Sequence, residues 1–307
     1  MSRNVAVIGL GAMGYGMAKC LVTSGFSVQG CDVRADTLSR FEADGGTPHT
    51  SARDAVRDAE IVFLMVVSAE QVETILFSDS DGVASALKDG AVVVVTSTVP
   101  PQYAKELGPR LAEHGAMMID APVSGGMVGA DSGNLTVMAA GPDQAFDKAK
   151  DALDAVSGTV YRLGTELGAG STVKMINQLL AGVHIATAAE AIAFGTRNGV
   201  NPRVLFEIIR ESAGGSWMFE NRVPRMLDAA YEPPASSVEI FVKDLGIVLD
   251  TGKASRFPLP IAAAAHQQFL AAAGAGHGGL DDSAVVKVYE ALSGVDVHTA
   301  AEPKAKE

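Results

Sequence analysis

The sequence predicts an α/β protein in two parts: a doubly wound, mostly parallel sheet, then an all-α domain reached through one long helix. Three observations predict it. The chain opens with a short apolar strand, Asn4-Val5-Ala6-Val7-Ile8, that runs into Gly9-Leu10-Gly11-Ala12-Met13-Gly14 and a helix-like stretch from Tyr15 to Thr23. Apolar runs of strand length recur up to about residue 163, separated by helix-length segments. After that the Val-rich runs stop and every pattern is helical.

The opening unit has a mechanism. Gly9 permits a tight turn, Gly11 has no Cβ and lets a pyrophosphate approach the backbone, and Gly14 lets the helix pack closely on the strand. The helix N-terminus then offers N–H groups and partial positive charge to the phosphates, with Leu10, Ala12 and Met13 completing the loop. The alternative is a Gly-rich turn in some other α/β domain. A second strand, Ser27 to Cys31, ends at Asp32, near the offset of about 20 expected for the acid that binds the ribose 2′-hydroxyl. This is a Rossmann signature. A carboxylate there bonds both ribose hydroxyls and repels a 2′-phosphate, so the expected cofactor is NAD. Arg34 is the feature that could instead reach a phosphate.

Asp36 to Ala43 reads as a helix. Residues 61–67 and 91–95 are continuous apolar runs, as expected of parallel strands covered on both faces. Residues 116–119, 134–140 and 160–163 complete the expected sheet. Gly168-Ala169-Gly170 then breaks the pattern, with Ser171 as an expected N-cap. A helix rich in Ala, Leu and Ile follows from Thr172 to about Asn198 and is closed by Gly199 and Pro202. Further helices are expected at 203–212, 219–227, 238–251, 260–273 and 283–292, with a frayed tail from Ala300. The expected organisation is a dinucleotide-binding domain over 1–163, a linker and interdomain helix over 164–198, and an all-helical substrate and oligomerisation domain over 199–307.

Composition excludes several classes. The 307 residues are 48% hydrophobic and 20% charged, with a net charge of −12. That charge argues against nucleic acid or an anionic membrane surface as partner, while leaving room for an anionic small substrate in a locally positive pocket. The two cysteines, Cys20 and Cys31, have no metal-ligand spacing, and the six histidines form no H-x-x-x-H pair, so no metal site is expected. No apolar stretch is read as approaching the roughly 20 residues of a membrane span. The first strand starts too early to follow a signal peptide, so a cytoplasmic protein is expected.

Candidate sites lie at strand ends, where doubly wound sheets bind ligands. The hydroxyls of Ser97-Thr98 either face the nicotinamide end or make an ordinary strand-end turn. Asp120-Ala121-Pro122-Val123-Ser124-Gly125-Gly126 offers a hydroxyl and successive backbone N–H groups, which is either a nest for a carboxylate or a flexible loop. Lys174 sits one turn into the long helix with Asn177 three residues on, on the same face. A lysine can take the hydroxyl proton of an alcohol under oxidation, and an amide can orient the hydroxyl. Alone, a helical lysine is nearly always a solvated charge.

These segments, together with Gly168 to Gln178 and Lys243-Asp244-Leu245-Gly246, stand in the order seen in the β-hydroxyacid dehydrogenases, and the chain resembles that family over nearly its whole length. The resemblance implies the two-domain fold of the related 6-phosphogluconate dehydrogenases. It makes Lys174 the general acid/base, Asn177 the substrate-positioning amide, and Ser124, Gly125 and Gly126 the carboxylate site. It brings Thr98 and Lys243 to the cofactor and Met65-Val66 to its adenosine side; Lys243-Asp244 could otherwise be a local surface pair. Ala181 stands where the decarboxylating relatives carry a glutamate, so oxidation without decarboxylation is expected. Gln178 replaces the second Asn of the family's usual pair.

Residues 216–224 and 240–248 resemble the branch that acts on L-threonate, which implies NAD-dependent oxidation at C2 to the 2-oxo acid. Trp217 and Asn221 are then candidate substrate contacts, with Arg222 beside them; the alternative is that Trp217 and Phe219 are core and Arg222 is a surface residue. Tartronate semialdehyde and 3-hydroxyisobutyrate are the alternative substrates. An imine reductase and a non-catalytic NAD-binding protein are further alternatives. Apolar residues around Ile261 to Ala265 and Leu270 to Ala273 imply a homodimer or homotetramer.

Overall fold

The computed structural model describes residues 3–302. The chain divides into two compact units, Met1–Met175 and Ile176–Glu307.

The first unit begins with β1 (Asn4–Ile8), α1 (Gly14–Thr23), β2 (Ser27–Cys31), α2 (Ala35–Ala43), β3 (Thr47–His49), α3 (Ala52–Val56) and β4 (Ile61–Leu64). It continues through α4 (Ala69–Phe77), β5 (Val92–Val95), α5 (Pro101–Ala112) and β6 (Met117–Asp120). These six strands form one parallel sheet in the order β3-β2-β1-β4-β5-β6. Strand order reverses between β1 and β4, and this switch point leaves a crevice at their carboxyl ends.

The apolar runs are explained by burial on both faces. Val5, Val7, Phe63 and Val94 point to a core shared with Met17 and Leu21 of α1 and Phe41 of α2. Ala6, Ile8, Leu64 and Val95 point the other way, to Val72 and Leu76 of α4 and Leu107 and Leu111 of α5. Alternate residues of each strand therefore feed opposite cores, as a doubly wound sheet requires.

Two of the seven strands expected in this sheet lie outside it, and β3 is a member that the apolar runs did not predict. After β6 come β7 (Val123–Ser124), α6 (Gly126–Asp131), β8 (Leu135–Ala139), α7 (Asp143–Val156) and β9 (Ser157–Arg162). These last three strands form a separate mixed sheet, with β7–β8 antiparallel and β8–β9 parallel. Only Ala121 and Pro122 separate β6 from β7, too few for the crossover that a parallel neighbour needs. An apolar run such as 134–140 reports burial, which it has, and says nothing of which sheet it joins. The run 61–67 likewise ends as strand at Leu64, because the chain turns at Met65 against Gly9.

The long helix α8 spans Ala169–Arg197. It starts two residues before Ser171, so Ser171 is not its N-cap. It corrects the reading of membrane spans as well: α8 is long and apolar enough to cross a membrane, with a mean hydropathy of 1.4. Its apolarity has a local cause, since Ile185, Ala189 and Ile192 are fully buried in the core of the second unit.

That unit continues with α9 (Pro202–Arg210), α10 (Trp217–Leu227), α11 (Val238–Ser255), α12 (Pro260–Ala272), α13 (Val286–Ser293) and α14 (Val297–Ala301). Its core joins α8 to Phe219, Val223 and Met226 of α10, Phe241 and Leu245 of α11 and Phe269 of α12. The tail is ordered further than expected: Asp296 caps α14, and Ala301 is buried. Residues 303–307 of the expected frayed tail lie outside the described residues.

Candidate active site

Each glycine of the first loop has its own steric reason. Gly9 has φ +94°, and a Cβ there would fall 2.3 Å from the Met65 carbonyl oxygen. A Cβ on Gly14 would fall 1.9 Å from the Gly9 carbonyl oxygen. Gly11 differs: a Cβ there would meet nothing within 4 Å. The protein itself therefore does not need Gly11 to be glycine. The open space over its backbone, at a strand-to-helix turn whose helix has no side-chain cap, fits a pyrophosphate. Ala12 is exposed and Met13 half-buried on this loop, and Leu10 is buried beneath it.

Asp32 follows β2 at the same sheet edge. Its Oδ2 accepts from the Leu10 N–H at 2.8 Å, and its Oδ1 accepts from the backbone N–H of Arg34 at 2.9 Å and from Arg34 Nε at 3.0 Å. Arg34 also donates from Nη2 to the Leu10 carbonyl at 2.9 Å. Partial burial opposes ionisation of Asp32, but the hydrogen bonds from Arg34 and Leu10 outweigh it and hold the carboxyl below the usual aspartate value. The acid is thus locked to the glycine loop, and Arg34, the cation that could reach a 2′-phosphate, is engaged with it.

At the ends of β4 and β5, Ser97 Oγ accepts from the Val66 N–H at 3.0 Å and donates to the Leu64 carbonyl at 3.2 Å. Ser97 therefore takes the strand-end role. Met65, Val66 and Thr98 are half-buried beside it.

The Ser124-Gly125-Gly126 loop begins at β7, with Ser124 half-buried and both glycines exposed. Their φ values are +129° and +61°, conformations that L side chains rarely adopt, and a Cβ on Gly126 would meet nothing within 4 Å. Both positions therefore require glycine for their backbone conformation, and Gly126 opens the short helix α6 with the Gly125 N-cap carrying no side chain.

Lys174 is not the solvated helical charge that base expectation favours. It is only 7% exposed, one turn into α8. The start of that helix is tied down by a residue that sequence reasoning passed over. Asp120, at the end of β6, is wholly buried and accepts from the N–H of Gly168 at 2.9 Å, the N–H of Ser171 at 2.9 Å and Ser171 Oγ at 2.6 Å. Burial pushes its carboxyl above the usual aspartate range, against the lowering effect of those hydrogen bonds. One carboxylate thus joins the strand that leads to the Ser124 loop to the helix that carries Lys174. The only signal for it in the sequence is an acid at a strand end beside a glycine loop.

In the second unit, Asn177 donates from Nδ2 to Gln178 Oε1 at 3.1 Å, and Gln178 Nε2 donates to Asp244 Oδ2 at 2.5 Å. Lys243 Nζ donates to Asp244 Oδ1 at 2.5 Å. Asp244 is 2% exposed, so Lys243-Asp244 is no surface pair. Trp217 is 64% exposed at the start of α10 and Asn221 is exposed one turn on, whereas Phe219 is core. Arg222 is neither a surface residue nor open to a ligand: it is buried against Asp282, with Nε–Oδ1 at 2.6 Å and Nη2–Oδ2 at 3.1 Å, and its Nη1 donates to Asn221.

A Rossmann switch point, an acid at the end of β2 bonded to the glycine loop and a buried helical lysine are the features of an NAD-dependent dehydrogenase. Residues 4–164 match the family model described as the NAD-binding domain of 6-phosphogluconate dehydrogenase. Residues 168–289 match the one described as NAD-binding of NADP-dependent 3-hydroxyisobutyrate dehydrogenase. The chain is 54% identical to an L-threonate dehydrogenase of Cupriavidus necator, over 95% of this chain and 98% of that one. It is 48% identical to an L-threonate dehydrogenase of Pectobacterium atrosepticum, over 94% and 95%. A crystal structure described as 3-hydroxyisobutyrate dehydrogenase, from Salmonella typhimurium, superposes with a TM-score of 0.89 at 46% identity, covering 94% of this chain and all of that one. The chain belongs to the β-hydroxyacid dehydrogenase family, of the 3-hydroxyisobutyrate dehydrogenase-like type.

Proposed function

We propose that this protein oxidises L-threonate at C2 with NAD⁺, giving the 2-oxo acid without decarboxylation. The observation that carries the chemistry is the burial of Lys174 on a helix fastened by Asp120 to the strand that leads into the Ser124 loop. The substrate follows the L-threonate dehydrogenases at 43–54% identity.

The cofactor, when bound, supplies the two-electron acceptor for the hydride leaving C2. Gly9 to Gly14 would hold its pyrophosphate, Asp32 its ribose hydroxyls, and Met65-Val66 and Thr98 its neighbouring surfaces, with Lys243 as a further contact. Ser124 and the N–H groups of Gly125 and Gly126 bind the substrate carboxylate, which fixes C2 and removes part of the entropic cost of reaction. Lys174 takes the proton of the C2 hydroxyl as the C–H bond breaks, and returns a proton in the reverse direction. Asn177, one turn on, orients the substrate. Oxidation at C2 places the carbonyl next to the carboxylate, where loss of CO2 has no enolate to form, and Ala181 offers only a methyl group where the decarboxylating relatives carry a proton donor, so the reaction ends at the 2-oxo acid. Trp217 and Asn221 are assigned to the distal hydroxyls.

Purified protein and its Lys174→Ala variant, assayed with NAD⁺ and NADP⁺ on L-threonate, tartronate semialdehyde (with NADH) and 3-hydroxyisobutyrate, test this. The expected result is L-threonate turnover with NAD⁺ preferred, and a loss of about 10²-fold or more in kcat for the variant with NAD⁺ binding retained. Turnover of 3-hydroxyisobutyrate in place of L-threonate would overturn the substrate and assign the activity for which the Salmonella protein is named. A cytoplasmic homo-oligomer is proposed as well. Ile261 (67%), Leu270 (38%) and Phe194 (70%) are exposed apolar residues of the second unit, although Ala262, Ala265, Phe269 and Ala272 of the α12 helix are buried in its core.

A further inference from the structure

Asn177, Gln178, Asp244 and Lys243 form one continuous line of hydrogen bonds, and its direction is dictated from one end. An ionised carboxylate only accepts. The end of Gln178 that meets Asp244 must therefore be Nε2, which turns Oε1 towards Asn177. Only the Nδ2 end of Asn177 can meet that oxygen. The charge of Asp244 thus fixes the polarity of an amide two links away and leaves Oδ1 as the outer end of Asn177. Gln178 is 8% exposed and Asp244 2%, so water does not compete for these links, while Asn177 is only half-buried.

An outward Oδ1 accepts hydrogen bonds and cannot donate them. The hydroxyl under oxidation has a single proton, and the reading above sends it to Lys174. Within the substrate, that leaves a different hydroxyl as the donor for Asn177 Oδ1. We infer that Gln178 and Asp244 are positioning residues that turn Asn177 into a specificity element for a second hydroxyl, so that the site selects polyhydroxy acids over monohydroxy acids. This rests on the L-threonate reading and on the role given there to Asn177. An amide held by buried partners discriminates against a ligand lacking the hydroxyl, because its acceptor is then left unpaired. An amide free to rotate would serve either way and select nothing.

The test compares two ligands of equal carbon number. L-Threonate is followed as substrate through kcat/KM. 2-Hydroxybutyrate, which keeps the carboxylate and the C2 hydroxyl alone, is followed through its inhibition constant. Gln178→Met severs the relay and keeps the shape. It is expected to lower kcat/KM for L-threonate about 10-fold, roughly what one hydrogen bond supplies. The inhibition constant of 2-hydroxybutyrate and the KM for NAD⁺ should hold. Gln178→Glu is the second variant. Its ionised form repels Asp244, whereas its protonated form donates to Asp244 and accepts from Asn177 as Gln does. Its activity relative to wild type should therefore rise as the pH falls.

An equal loss for both ligands in Gln178→Met, or no loss for either, would overturn the inference. So would a Gln178→Glu ratio that stays flat with pH. The L-threonate reading fails separately, by wild-type protein oxidising another hydroxy acid instead; the same variants then test the relay on that acid against its deoxy analogue. Loss of activity in Asn177→Ala beside an unaffected Gln178→Met would leave Asn177 its role and remove the relay.

Discussion

Single residues in this protein divide into those the fold needs and those only a ligand needs, and the glycine loop separates the two. Gly9 and Gly14 are crowded by backbone atoms, so their identity is a condition of folding. Gly11 is crowded by nothing. Gly11→Ala should therefore leave the melting temperature of the cofactor-free protein unchanged while weakening NAD⁺ binding at least about 10-fold, near 1.4 kcal/mol. Gly14→Ala should lower stability before any cofactor is added. Thermal melts with and without NAD⁺ decide it, and a destabilised apo Gly11→Ala would show that the loop glycine is structural after all. The fingerprint and Asp32 were legible because a local pattern encodes them within one strand–helix–strand unit. Lys174 was not legible from periodicity: its burial is set by tertiary packing, and only the family resemblance pointed to it. Gln178 and Asp244 were quoted within motifs, yet their partnership spans 66 residues of sequence and no local rule connects them.

At the scale of elements, the long strands of the first unit were legible, since a doubly wound sheet writes both of its buried faces into unbroken apolar runs, whereas the short β3 and β7 were not and only α1 and α2 among its helices were given bounds. What escaped was strand pairing. Nothing in residues 134–140 or 160–163 distinguishes the main sheet from the smaller mixed one, because a buried strand looks the same in either. The start of α8 was misplaced for a related reason: Ser171 looks like a cap, but its hydroxyl donates to Asp120 instead. That junction yields a prediction in which two effects oppose. Gly170 is the second residue of α8, and Gly→Ala inside a helix ordinarily gains up to about 1 kcal/mol in propensity. Here the added Cβ would lie 2.3 Å from the Met138 carbonyl oxygen and 2.5 Å from that of Asp120, both backbone atoms. Overpacking of this kind costs about 1–3 kcal/mol, so packing wins and Gly170→Ala should be destabilising. Because the helix start must shift, Lys174 shifts with it, and kcat should fall more than the KM for NAD⁺ rises. Steady-state kinetics beside a urea melt measure both, and a stabilised, fully active variant would mean that the junction relaxes freely.

For the molecule as a whole, the change from alternating strands and helices to helices alone was plain in the sequence, and so was the family. The interior of the helical unit was not. Its core looks apolar when read by periodicity, yet it encloses Arg222 and Asp282, 60 residues apart in the chain and 8% and 0% exposed in their side chains. Asp281 lies beside them, bonded to Ser283 and the N–H of Ala235 and paired with Arg225 at 3.1 Å. Such a pair is weak evidence of net stabilisation, since the cost of removing two ions from water offsets their attraction. What it does impose is an all-or-none condition. Removing one partner strands the other without water, and Asp282→Ala should cost the helical unit about 3–5 kcal/mol. Arg222→Met with Asp282→Leu removes both charges and fills the space with apolar atoms, so the double variant should recover most of that loss. Denaturant melts of the two single variants and the double one form a cycle in which the coupling is read directly. Additive losses would mean that water reaches the pair and that it contributes no more than a surface contact. Strong non-additivity would mark it as the device that ties α10 to the segment entering α13, and would explain why Arg222, for all its closeness in sequence to Trp217 and Asn221, belongs to the scaffold and not to the substrate.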